Sequence, residues 1–115
     1  MRLVHRTDGD ETVLATDVET ADSFLTQALG LMFRRSIPDD YALAFRFDAA
    51  KARDVHMLFV RFPLDVVWAA DGVVQRVERL SPWTGFAKDT CDALYELPAG
   101  TAEAVDPGDE VRLVE

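Results

Sequence analysis

Two apolar, β-branched runs, residues 64–70 and 73–80, meet at Asp71-Gly72. That junction constrains the fold more than any other feature. Asp-Gly between such runs predicts a two-residue type I′ hairpin, because both turn residues must take positive φ and Asp and Gly do so with least strain. The rest of the chain repeats the pattern of short runs broken by turn residues. Residues 3–6 and 12–15 flank Asp8-Gly9-Asp10, which predicts a second hairpin at the N-terminus. Residues 42–47, 55–60, 92–97 and 110–114 read as further strands. They are separated by Ile37-Pro38-Asp39-Asp40, by the loop Ser81-Pro82-Trp83-Thr84-Gly85, by Pro98-Ala99-Gly100 and by Pro107-Gly108-Asp109.

Two segments break the strand rhythm. Ala21, Phe24, Leu25, Ala28 and Leu29 recur at helical spacing, which predicts one amphipathic helix with Asp17 or Thr20 as its cap and Gly30 at its stop. Residues 101–105 suggest a short helical piece. No alternation of strand and helix demands a parallel sheet. The expected fold is therefore mainly β, with an α+β character only at its margin. It is an antiparallel sandwich or partly open barrel of about seven short strands with one helix. At 115 residues, the chain fits one domain, 1–115.

Composition narrows the function. Twelve basic side chains stand against 21 acidic ones, giving a net charge of −9. Affinity for phosphate backbones and anionic lipid comes mainly from Lys and Arg, so neither nucleic acid nor membrane is an expected partner. Lys51 and Lys88 are the only lysines. Such a surface suits either salt adaptation, where an acidic shell keeps the protein hydrated, or an ordinary acidic protein. Cys91 is the sole cysteine; together with an N-terminus that lacks an apolar signal stretch, it points to a reducing, cytoplasmic setting.

Three motifs occur in order: Gly30-Leu31-Met32-Phe33-Arg34, then Val55-His56-Met57-Leu58-Phe59-Val60-Arg61-Phe62-Pro63-Leu64-Asp65-Val66-Val67, then Glu96-Leu97-Pro98-Ala99-Gly100. Together they resemble the prokaryotic family of domain of unknown function 192, from about Ala15 to the C-terminus. The resemblance implies a small, mainly β domain with no established activity. Many members carry Trp where this chain has His56.

The second motif is the first place to seek chemistry. Asp65 opens an otherwise apolar run, and a buried carboxylate needs a partner or a wet site. It either orients an Arg or His in a polar cleft or serves a structural ion pair. Pro63 suits a bend that would bring Arg61 toward Asp65. Read as a strand, the segment would set Met57, Phe59 and Arg61 on one face and His56, Leu58 and Val60 on the other. His56 is either a core histidine or a general base, and His5 reads as a surface residue. Arg34 either caps the preceding helix or clamps an anion. Trp83 stacks on a ligand or plugs an end of the fold. Glu96 either lines a site or pairs with an Arg across the sheet.

Several chemistries fall away. Two His and one Cys have no zinc-ligand spacing, so no metal or other cofactor is expected. There is no phosphate loop and no nucleophile elbow. Cys91 sits beside Asp92, which raises a thiol rather than activating it. The reading that remains is a non-catalytic module that binds a small polar or anionic ligand, or a peptide, through Arg34, His56, Arg61, Asp65, Trp83 and Glu96. The alternatives are a small hydrolase or isomerase with His56 or Asp65 as general base, and an interaction domain that pairs through an edge strand.

Overall fold

The computed structural model describes residues 1–21 and 30–115. It contains strands β1 (Arg2–Thr7), β2 (Asp10–Ala15), β3 (Asp17–Thr20), β4 (Tyr41–His56), β5 (Leu64–Ala70), β6 (Val73–Leu80), β7 (Phe86–Pro98) and β8 (Glu110–Val114). All eight join one open sheet in the order β2-β1-β8-β6-β5-β7-β4-β3. The mainly β expectation holds, but of its two forms, a sandwich or a partly open barrel, the two-layer sandwich is replaced by a single open sheet.

Both Asp-Gly hairpins form as read. Asp8 and Gly9 take φ of 50° and 85°, and Asp71 and Gly72 take 51° and 79°. Gly72 has a second constraint, since a Cβ there would lie 2.9 Å from the Arg112 guanidinium.

Elsewhere the structure departs from the expectation. Residues 17–20, expected to cap a helix, form β3, which pairs parallel to β4 from Asp17↔Tyr41 to Thr20↔Ala44. A parallel pair needs a crossover, and residues 21–40 supply it. The helix expected from Ala21 to Leu29 falls on residues 22–29, outside the described residues. Residues 42–47 and 55–60 are not two strands. Instead β4 runs unbroken to His56, its ladder with β7 shifting between Arg46 and Lys51. That bulge carries the strand through a polar stretch with no apolar alternation to announce it. Beyond His56 the chain turns, with the Val60 N–H donating to Met57 O at 3.0 Å. The alternation expected from His56 to Arg61 is therefore lost. Residues 101–105 form turns rather than a helix.

Each face of the sheet has its own core. On one face Leu43, Phe45, Leu64, Val66, Trp68 and Leu94 pack under Leu31, Met57 and Val60 from the loops. On the other, Ala42, Ala44, Val67, Ala69, Tyr95 and Leu97 meet Leu3, Val74 and Val111, with Ala102 and Val105 as the lid. The sheet curls about this second face, bringing β1 into contact with β3. Small side chains such as Ala42, Ala44 and Ala69 suit the tighter interior. His5, expected at the surface, is buried in β1, an interior strand between β2 and β8. Its ring pairs with Asp109 at 2.8 Å. Among the described residues no helix is long and apolar enough to cross a membrane.

Candidate functional site

The two buried carboxylates of the central strands lie on opposite faces. Asp65 and Glu96 are one register step apart on paired strands, since Asp65 faces Leu97 and Val66 faces Glu96. Side chains alternate across a sheet, so Asp65 points toward the lidded second core and Glu96 toward the loop-covered face.

Asp65 is fully engaged. Its Oδ1 accepts from Arg79 Nε at 2.9 Å. Its Oδ2 accepts from the Gly100 and Ala102 backbone N–H groups, each at 2.9 Å. One side chain thereby fixes the turn after Pro98 and seats the Ala102–Val105 lid. The arginine that meets Asp65 is Arg79 of β6, directly opposite it in the ladder, and not Arg61.

Glu96 sits otherwise. It is 7% exposed, and among the described residues no hydrogen bond or ion pair engages its carboxylate. Burial pushes its pKa up to about 7. The arginine partner expected across the sheet is absent, because its ladder neighbours are Leu43 and Val66. The carboxylate faces a cavity of about 330 Å³. Leu31, Phe45, Val60, Leu64 and Leu94 form its apolar walls, and Arg53, Asp54 and His56 form a polar rim. Gly30 comes close as well: a Cβ there would stand 3.6 Å from Glu96 Oε1.

The rim follows from the end of β4. The Arg53 carbonyl accepts from the buried Trp68 indole at 3.0 Å. Its guanidinium lies 3.5 Å over the Phe47 ring and donates to the Cys91 and Ala49 carbonyls. Arg53 is therefore held by the sheet rather than poised for an anion. His56 is exposed at the mouth, and no hydrogen bond links it to a carboxylate among the described residues. The nearby Cys91 thiol is buried and raised to about 11, far from a reactive thiolate.

The remaining candidates lie elsewhere. Arg34 Nη2 donates to Glu19 Oε1 at 2.8 Å, and the Tyr41 hydroxyl donates to the same oxygen at 3.0 Å. The Arg34 bond holds the Glu19 carboxyl below its ordinary range, while burial pushes the Tyr41 phenol up. Arg61 is exposed on the turn after β4, outside the cavity wall. Trp83 is 47% exposed and meets the Phe59 ring edge-on. Of the six residues singled out from sequence, only His56 and Glu96 share the cavity. Its apolar walls come from four separate chain segments, and only their β-like patterning was visible beforehand.

A family model described as Uncharacterized ACR, that of domain of unknown function 192, matches residues 4–113. The chain is 31% identical to UPF0127 protein PH1112 of Pyrococcus horikoshii over 102 residues, covering 84% of this chain and 86% of that protein. Among solved structures it is similar to a protein of Sinorhizobium meliloti 1021 described as a "putative transcription regulator". That match has a TM-score of 0.85 and 28% identity, covering 96% of this chain and 91% of the other. It is also similar to a protein of unknown function from Novosphingobium aromaticivorans, at a TM-score of 0.83 and 22% identity, covering 97% and 84%.

Proposed function

Because the chain belongs to the family of domain of unknown function 192, whose description names no activity, we propose from its own geometry that it is a small-ligand binding module. The observation that carries this reading is Glu96, a buried carboxylate with no partner among the described residues, facing a cavity large enough for a small molecule. Burying a charge without a partner is costly, and an incoming donor offsets that cost. The ligand is therefore a compound with an apolar body and an ammonium, amide or hydroxyl donor that reaches Glu96. Leu31, Phe45 and Leu94 take the body, and His56 and Asp54 meet the solvent-facing end.

This shifts the emphasis from anions to donors. Arg34 is answered by Glu19 and Arg53 by backbone carbonyls, so neither is free to clamp an anion. The general-base alternative loses support too, since Asp65 is saturated by Arg79 and two backbone N–H groups and His56 has no carboxylate partner among the described residues. The regulator description of the Sinorhizobium relative would suit an effector cavity. Direct DNA binding is disfavoured here by a net charge of −9.

The test is an amide NMR titration of the whole chain with a panel of small amines, amides, alcohols and carboxylates bearing apolar bodies. Shifts are expected at Leu31, Phe45, Val60, Leu94 and Glu96 with donor-bearing compounds. Glu96→Gln should weaken the best amine about ten-fold or more, the scale of losing a charge-assisted hydrogen bond. Carboxylates binding equally well, or an amine indifferent to Glu96→Gln, would end this reading.

A further inference from the structure

Three loops converge at one end of the sheet, beside the cavity that Met32 and Val60 help to line, and each presents an aromatic side chain. The Phe33 and Phe59 rings stack with centroids 5.0 Å apart, and Trp83 meets Phe59 edge-on at 5.4 Å. All three take positive φ, at 69°, 62° and 68°. Bulky residues rarely adopt that region; Gly or Asn would serve a mere turn with less strain. Backbone hydrogen bonds tie the loops together: Phe33 N–H to Phe59 O at 2.9 Å, Trp83 N–H to Met57 O at 3.0 Å, and Met57 N–H to Gly85 O at 3.0 Å. Gly85 is locked in place, because a Cβ there would come within 2.8 Å of Met57 Cγ. The rings are thus held in a preset arrangement while remaining 43–58% exposed. Leu58, next to Phe59, and Phe86, at the start of β7, are 54% and 62% exposed as well.

The charges around these rings run against the rest of the molecule. Residues 30–38, 55–64 and 80–87 contain Arg34, Arg35, His56 and Arg61 and no Asp or Glu, in a chain of net charge −9. Arg34 pairs with Glu19, whereas Arg35 and Arg61 are exposed and have no ion-pair partner among the described residues. Protein interfaces are enriched in aromatic residues, Met and Arg and depleted of Lys, Glu and Asp. We propose that this end is a docking surface for an acidic, apolar segment of a partner protein, whose apolar side chains cover Phe33, Phe59 and Trp83 while its carboxylates meet Arg35 and Arg61.

Other occupants fit less well. A second copy using the same patch would set arginines against arginines with no carboxylate between them. An anionic bilayer is an extended plane, so it would also confront the acidic flanks of a molecule only 38 × 29 × 24 Å across. A narrow segment meets the basic, aromatic end alone. The proposal does not depend on the cavity or its ligand.

The experiment is to pan a random peptide display library against the immobilised full chain, with a Phe33→Asn/Trp83→Asn variant as counter-selection. Asn tolerates positive φ, so the loops keep their conformation while losing the rings, and matching thermal melts verify that both chains are folded. Enriched peptides should combine aliphatic or aromatic residues with carboxylates. Their affinity should fall about ten-fold or more on Trp83→Asn or Arg61→Glu, and binding should weaken with salt. No enrichment beyond the counter-selected variant, or enrichment of basic peptides, overturns the proposal. So does co-sedimentation with phosphatidylglycerol-containing vesicles, or dimerisation abolished by Trp83→Asn.

Discussion

Asp65 and Glu96 are both acidic and nearly inaccessible, and they stand on neighbouring strands one register step apart. Their surroundings set them in opposite roles. Asp65 receives one side-chain and two backbone donors, so its charge is satisfied within the chain and holds a turn against the second core. Among the described residues Glu96 has no such donors, and it opens onto a cavity. A buried carboxylate is therefore informative only together with its hydrogen-bond partners: satisfied, it anchors structure; unsatisfied beside a cavity, it marks a site.

The largest effect should come from Asp65→Ala. It strands two backbone N–H groups, ends the ion pair with Arg79 and releases the Ala102–Val105 lid, costing about 4 kcal/mol, in the range for removing a buried charged acceptor with several donors. Urea unfolding checks this; a cost near that of an ordinary surface substitution would erase the distinction between the two carboxylates.

Glu96→Gln should act in the opposite direction. The folded pKa, about 7, lies above the ordinary glutamate value of 4.5, so the native state resists ionisation more than the unfolded chain does. The resulting penalty is absent below pH 4.5, grows between 4.5 and about 7, and is constant above that. Stability of the parent should therefore fall across that window relative to Glu96→Gln, leaving the variant more stable by roughly 3 kcal/mol at pH 8. Parallel pH–stability curves would show that Glu96 already has a partner.

Arg79→Ala sharpens the Asp65 side. The Arg79 side chain is 53% exposed, and the Gly100 and Ala102 donors remain after its removal. The loss should be small and well below that of Asp65→Ala, as for a solvated pair. A loss equal to that of Asp65→Ala would mean that the guanidinium, rather than the turn, is what Asp65 chiefly serves.

The hairpins were legible because their signal is local: Asp-Gly takes positive φ wherever apolar runs flank it, and both such turns formed. The short strand β3 was not legible, because Asp17-Val18-Glu19-Thr20 carries equally good capping residues and only the pairing with β4 makes it a strand. The continuity of β4 was hidden by a bulge through residues with no alternation. His5 was misjudged because its arginine neighbour suggested solvent, whereas burial depended on β8 arriving beside β1. The demand that Asp65 have a partner could be read directly, but which arginine would supply it could not, since Arg79 is brought opposite by the ladder register.

By itself, then, the sequence determined the β character, the two hairpins, the net negative charge and the need for a partner at Asp65. These follow from backbone sterics, patterning and desolvation acting within a few residues. Only the tertiary structure decided that the strands form one sheet, that Asp65 and Glu96 face opposite cores, and that three distant loops present their aromatic rings together. Those outcomes depend on strand order and register, where a shift of one residue exchanges the two faces.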